Sequence, residues 1–270
     1  MKNIGIIGAG FVGEALALRL VELGYSVKVA NSRGPDTLKE FEQKTGAKAV
    51  GIADISFGLD VLVIAVPMTR TLDLPKSVIS TLPEGAIVVD ANNYYPARDG
   101  VIPDLEAELT ESQWVSQILG VSVVKALNNI IASRLVTNHK PKGDPNRIAL
   151  PVSGDNSGDK AKIMELVEHL GFTAFDAGPL SESWRQHPGN PAYCSDPTIG
   201  ELPLLLQRAD RKKAREGRDS ASKLLAKLPK DYSADVLVRV SRLSAGLDRT
   251  NPKSLFAILR LGVALLWPSQ

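Results

Sequence analysis

Apolar residues along this chain follow two rhythms. Short, almost wholly apolar runs alternate with stretches where apolar residues recur every three or four positions. The runs Asn3–Gly8, Ser26–Asn31, Ala47–Gly51, Val61–Val66 and Ala86–Ala91 have the character of strands buried on both faces. Between the first two, Val12, Ala15, Leu16, Leu20 and Leu23 fall at helical spacing, with Arg19 the polar exception. They predict a helix over Phe11–Leu23, stopped by Gly24. Asp36 or Thr37 opens a second helix, with Glu40 in its first turn. Past the middle, Val121–Leu127, Arg147–Ser153 and Thr173–Ala177 read as three more strands. Lys160–Leu170 reads as a helix whose stripe is Ile163, Leu166, Val167 and Leu170. This alternation predicts an α/β chain built on a mostly parallel sheet.

The pattern changes near residue 180. Ser181–Asp196, rich in Trp, Pro, Gly and polar residues, reads as a long loop. Helices are expected over Leu204–Lys227, Ala234–Leu247 and Lys253–Leu266. The basic stretch Arg208–Arg218 reads as a solvated helix face, ahead of a site for an acidic coenzyme tail or a membrane surface, and the apolar run Leu255–Trp267 as a buried or subunit-interface helix, ahead of a peripheral membrane anchor. The division expected is a sheet-forming body over 1–180 and a loop with a helical appendage over 181–270, serving substrate or oligomer contacts.

Composition narrows the function classes. A net charge of +2 gives no field for a polyanion, so no nucleic-acid partner is expected. The single cysteine, Cys194, excludes an intrachain disulfide and a multi-thiolate zinc site. The three histidines, His139, His169 and His187, are scattered, and no metal site is expected. The opening MKNIGIIGAG runs straight into a strand and a glycine turn. No apolar run is long enough to span a bilayer, and Leu255–Trp267 is short and holds Arg260. These features together predict a cytoplasmic protein without a transmembrane segment.

The most informative motif is Gly8-Ala9-Gly10-Phe11-Val12-Gly13, a G-x-G-x-x-G between a buried strand and an apolar-striped helix. Gly8 suits the tight turn, Gly10 the close approach of a pyrophosphate, and Gly13 the packing of helix on strand. This is the fingerprint of a Rossmann-like, doubly wound fold with a dinucleotide on the helix N-terminus. The second strand ends Ala30-Asn31-Ser32-Arg33-Gly34, without the acid that binds a ribose 2′-hydroxyl in NAD enzymes. Ser32 can instead donate to a 2′-phosphate, and Arg33 can pair with it or stack on adenine, which predicts NADP(H), with Asn31 beside them in the cofactor site. Ala65, Val66 and Pro67, ending the fourth strand, are expected to wall the cofactor. Asn92 and Asn93, after the fifth, offer amide hydrogen bonds there or simple turn chemistry.

Four stretches resemble the NADPH-dependent F420 reductases, the deazaflavin-coenzyme:NADP oxidoreductases, and their bacterial relatives. They are GIIGAGFVGEALALRL at the start, ANSRGP after the second strand, VVKALNNIIASRL at 123–135 and PVSGDNSGDKAKIMELVEHLGFTAFDAGPLSES at 151–183. The resemblance implies a Rossmann domain with extra strands, and a hydride passed between NADP(H) and a flavin- or deazaflavin-like acceptor such as F420. It places Ser32 and Arg33 on the 2′-phosphate, and Ala126, Leu127, Asn128 and Ala132 by the nicotinamide. The archaeal deazaflavin reductases differ in carrying Thr where Ala9 stands and His-Thr where Asn128-Asn129 stand. Beyond Ser183 the likeness follows the wider bacterial branch.

Hydride transfer between two planar rings needs positioning more than acid–base groups. Reduction of a small carbonyl or imine, the alternative reading, would need a proton donor. Lys125 is the candidate for it, although a solvent-facing strand-end lysine is the preferred reading of that residue. Arg185, Gln186, His187 and Tyr193 in the loop could cover a ring system, or could simply pack as a connector. A third reading is a non-catalytic NADPH sensor whose helical tail meets a partner. The expected partners are a small-molecule substrate or coenzyme and a second copy in a homodimer.

Overall fold

A computed structural model describes residues 1–229 and 232–266. Its strands are β1 (Asn3–Ile7), β2 (Ser26–Ala30), β3 (Lys48–Ala49), β4 (Val61–Ile64), β5 (Ile87–Asp90), β6 (Val123–Lys125), β7 (Ala149–Gly154) and β8 (Thr173–Asp176). They form one sheet in the order β3-β2-β1-β4-β5-β6-β7-β8. From β3 to β6 all pairings are parallel. The order reverses between β1 and β4, the switch point at which ligands lie in open α/β sheets. The fold is the expected Rossmann-like one, with extra strands and a helical C-terminal region.

Period-two alternation sends the apolar strand residues to both faces. Ile4, Ile6, Val27, Val29, Val61, Val63 and Val89 meet Leu16 and Leu20 of the helix Phe11–Glu22 and Leu166 of the helix Ser157–His169. On the other face, Ile64, Val88 and Val123 pack with Trp114 and Val115 of the helix Glu111–Leu119. Ile7 and Leu62 pack there with Ile55, Leu59 and Val78.

Several boundaries differ from the sequence pattern for local reasons. The helix expected at Lys160 begins at Ser157, because the Asn156 side chain accepts from Asp159 N at 3.0 Å and caps it. The second helix is a 3₁₀ turn, Pro35–Leu38, running into Lys39–Thr45. Leu204–Lys227 is two helices, Leu202–Gln207 and Arg211–Leu225, since Asp210 caps a fresh start by accepting from Lys213 N. The loop Ser181–Asp196 contains 3₁₀ turns through Gln186.

The extra strands carry the C-terminal region. β7 is antiparallel to β6 and pairs with it only through Ser153 and Gly154. Ala149–Val152 therefore overshoot β6 and pair with β8. Ala149 on this overhang packs with Ala192, Leu202, Leu205, Leu206 and Ala245, and its amide donates to Pro197 O. Arg242 ties the same region together, donating to Glu201, Asp248 and the Ser195 and Asp196 carbonyls. The basic stretch Arg208–Arg218 is solvated on one side only, where Arg208, Lys212 and Lys213 are exposed. Arg211 and Arg215 donate to the Glu108 and Ala107 carbonyls, and Arg218 is buried against Glu106. In the apolar run Leu255–Trp267, Trp267 lies outside the described residues. The rest falls in the helix Pro252–Leu266, which is buried on one side only.

Candidate functional site

The carboxyl ends of β1, β2, β4, β5 and β6 converge on the glycine loop. Gly8 has φ +116° and donates to Ala30 O, and a Cβ there would collide with the Ala65 carbonyl. A Cβ on Gly13 would strike the Gly8 carbonyl. The protein's own packing therefore requires both glycines. Gly10 is different: a Cβ there meets no protein atom within 4 Å, and its φ of −87° suits any residue. The fold gives no internal reason for glycine at this position, whereas a pyrophosphate against the backbone does. No side chain caps the helix at Gly10, so the amides of its first turn face the loop. Phe11, beside them, is 74% exposed. These residues fit a dinucleotide phosphate.

At the end of β2, Asn31 builds the turn. Its Oδ1 accepts from Arg33 N and its Nδ2 donates to Thr37 Oγ1, which in turn donates to Gly34 O. The Asn31 side chain is thereby committed to the loop, not offered to a ligand as expected. The loop it shapes leaves the Ser32 and Arg33 side chains exposed. Asp36, the acid nearest in sequence, pairs with Lys39 at 3.4 Å.

Ala65 and Val66 are half-buried and Pro67 exposed at the end of β4. Asn92 departs from expectation. It is 2% exposed, its Oδ1 accepts from Val66 N at 2.8 Å, and its Nδ2 donates to Thr71 Oγ1. Both ends of the amide are engaged, so Asn92 latches the β4 loop to the β5 loop.

The segment after β6 lies deeper than the sequence suggested. Ala126, Leu127 and Asn128 are all buried, and Leu127 holds φ +63°, rare for a branched side chain. Asn128 and Asn93 are reciprocally bonded: Asn128 Nδ2 donates to Asn93 Oδ1, and Asn93 Nδ2 to Asn128 O. Asn128 Nδ2 also reaches Gln186 O, and Gln186 Nε2 reaches Asn128 Oδ1. The loop after β8 thus covers this segment, and the three side chains do not line an open surface. Ala132 is half-buried at the start of the short helix Ala132–Thr137.

Lys125 is neither solvent-facing nor free to act as a donor. It is fully buried, with Nζ 3.3 Å from Asp90 Oδ2, 3.2 Å from Glu111 Oε2, and bonded to Asn92 O. Ser112 Oγ and Asn92 N also donate to Asp90, and Tyr94 N donates to Glu111. His187 Nδ1 stands 3.5 Å from Glu111 Oε1. Burial pushes Glu111 up to about 7 despite the Lys125 charge, and burial holds His187 well below its ordinary value. One ammonium facing two carboxylates leaves excess negative charge, and a proton on Glu111 removes it.

The sequence reading missed Asp90, Glu111 and Gln186 as parts of this network. Thr110-x-x-Gln113, a capping box realised in both directions, was the available signal for the helix that carries Glu111. The Trp184–Tyr193 loop is a packed connector. Arg185 lies over Trp184 at 4.5 Å and pairs with Glu182, and the Tyr193 hydroxyl is 2.8 Å from that of Tyr95. Burial pushes the Cys194 thiol up to about 12, so it stays protonated.

Residues 3–94, which contain the glycine loop and the ends of β2, β4 and β5, match the family described as NADP oxidoreductase, coenzyme F420-dependent. The N-terminal part of this chain therefore carries that family's pattern. Among solved structures it resembles protein SMa0349 of Sinorhizobium meliloti, at 30% identity and TM-score 0.60. That likeness covers 73% of this chain and 96% of that one. The protein YjhV of Escherichia coli (strain K12) is 36% identical over 97 residues, which is 36% of this chain. The metalloreductase STEAP3 of Rattus norvegicus is 28% identical over 186 residues, 67% of this chain. The chain spans 64% and 35% of the length of these two relatives. Among the described residues, no helix is long and apolar enough to cross a membrane.

Proposed function

We propose that this protein is an NADP(H)-dependent oxidoreductase that passes a hydride between the nicotinamide and a flavin- or deazaflavin-like acceptor of the F420 type. The observation carrying the nucleotide half is Gly10, which has no packing partner for a Cβ although Gly8 and Gly13 are sterically required. The choice of NADP(H) rests on the exposed Ser32 and Arg33, in a turn held open by Asn31 and without an acid at the end of β2. When bound, the nicotinamide supplies the hydride chemistry. The Gly10–Gly13 amides bind phosphate, Arg33 and Ser32 read the 2′-phosphate, and Ala65, Val66 and Pro67 wall the ring side. Asn92 holds that wall in place through Val66 N. The Asn93–Asn128–Gln186 amide network fixes the loops after β5, β6 and β8 in one register.

The acceptor class is supported by the commitments of Lys125 and by the family resemblance. Lys125, the donor on which reduction of a small carbonyl or imine depended, is locked between Asp90 and Glu111. An acceptor ring that needs orientation more than a protein acid fits this site better.

The test is a titration with NADPH and NADH, followed by NADPH oxidation assays with the deazaflavin coenzyme and with FMN. Tighter NADPH binding and turnover with either acceptor are expected. Equal binding of the two nucleotides would refute the NADP(H) assignment. Tight binding without turnover on either ring would refute the acceptor class.

A further inference from the structure

The outermost helix, Pro252–Leu266, is apolar on two opposite sides. One side packs inward, where Ala257 and Leu261 meet Val236 of the helix Ala234–Ser244. The other is bare: Leu255 is 49% exposed, Phe256 60%, Ile258 50%, Leu259 65%, Val263 58% and Leu266 73%. At about 100° per residue these six fall on one arc, with Gly262 inside it and Lys253 and Arg260 at its edge. A helix apolar all round belongs in an interior, so this arc calls for a cover.

We propose that the cover is a second copy of this chain, with the two Pro252–Leu266 helices crossing about a two-fold axis near Leu259 and Gly262. Three observations favour that occupant. The first is area. Side chains of this kind, half to three-quarters exposed, offer roughly 600 Å² per copy. That is most of the roughly 800 Å² per partner in a standard interface. The second is charge. The arc carries none, so a two-fold sets no like charges against each other, whereas Lys253 and Arg260 fall at the rim where they stay hydrated. The third is shape. A Cβ on Gly262 would meet nothing within 4 Å, so the glycine leaves a notch in the apolar surface that lets a second backbone approach.

The full chain is weighed by light scattering after gel filtration and by sedimentation over a wide concentration range. Twice the 29.0 kDa chain mass is expected. Leu259→Glu combined with Val263→Glu should raise the concentration for half-dissociation by at least about 100-fold, with an unchanged circular dichroism spectrum. Leu204→Glu, at a half-exposed apolar position on another helix, should leave the dimer intact. If the double variant precipitates, Leu259→Ser, a milder change at an exposed position, should still shift the equilibrium towards monomer. A wild-type chain that stays monomeric overturns the proposal, as does a dimer indifferent to the arc variants. Binding of a monomer to phosphatidylserine vesicles, lost in the double variant, would assign the arc to a membrane instead.

Discussion

At the scale of single residues, the glycine loop separates what the fold needs from what a ligand needs. Gly10→Ala introduces a methyl group into open space at an ordinary backbone conformation. Its effect on the stability of the nucleotide-free protein should stay within about 0.5 kcal/mol, while NADPH binding is sharply weakened. Gly13→Ala should lower the melting temperature directly, because its methyl strikes the Gly8 carbonyl. Thermal melts with and without NADPH distinguish the two, and full NADPH affinity in Gly10→Ala would mean that no pyrophosphate crosses this position. Arg33→Ala should cost NADPH binding about 1.5–3 kcal/mol, the range for a lost hydrogen bond to a charged group, and leave NADH binding unchanged. Equal losses measured by calorimetry for the two nucleotides would remove Arg33 from the 2′-phosphate. The glycine motif and the missing acid were legible because each is a short-range pattern with a fixed offset from a strand. The commitments of Asn31 and Asn92 were not. Whether an amide faces a ligand or a neighbouring loop depends on partners elsewhere, such as Val66 and Thr71 for Asn92.

At the scale of elements, the strands could be read because buried parallel strands are written as continuous apolar runs. What sits at the end of a strand could not. Lys125 closes β6, and its two carboxylate partners lie 35 and 14 residues earlier in the chain. Neither spacing is a local signal. The antiparallel overhang of β7 was equally silent, because Arg147–Ser153 has the same apolar character whichever way it runs. The overhang decides where the appendage sits, through Ala149. The Lys125 cluster ties β5, β6 and the helix Glu111–Leu119 together, and its loss has a definite direction. Lys125→Met keeps most of the side-chain volume but leaves two buried carboxylates without their cation. Breaking such a buried pair typically costs about 3–5 kcal/mol in urea unfolding. Changing Asp90→Asn and Glu111→Gln as well should recover much of that loss, because no buried charge is then left unpaired. A single Lys125→Met variant as stable as the wild type would show that the cluster contributes nothing to holding these elements together.

At the scale of the whole molecule, the same cluster joins the sheet to the appendage, since Glu111 belongs to the body and His187 to the loop that leads into the C-terminal region. Their titrations oppose each other. Glu111 has its folded value raised from 4.5 to about 7, so the stability it contributes is present at low pH and is lost as pH rises through that window. His187 has its folded value depressed below 6.5, so the stability linked to its neutral ring is lost as pH falls below 6.5, where the unfolded chain takes up a proton that the folded one refuses. Between about pH 5 and pH 7 the two slopes partly cancel, and the intact protein changes little through this pair. Single variants expose each component. Glu111→Gln removes the falling contribution, so stability should rise with pH across the window relative to wild type. His187→Asn removes the rising one, so stability should fall. Each slope is bounded by about 1.4 kcal/mol per pH unit, the value for one proton. Asp196, raised by burial to about 6 and facing Arg134, Arg242 and Asp235, adds to the falling side in all three proteins and so drops out of the comparison. Urea unfolding at pH 5, 6 and 7 measures these slopes. Parallel pH profiles for wild type and both variants would show that Glu111 and His187 do not titrate against each other across the junction. Diverging profiles would locate the pH response of the molecule at the contact between its sheet and its C-terminal region.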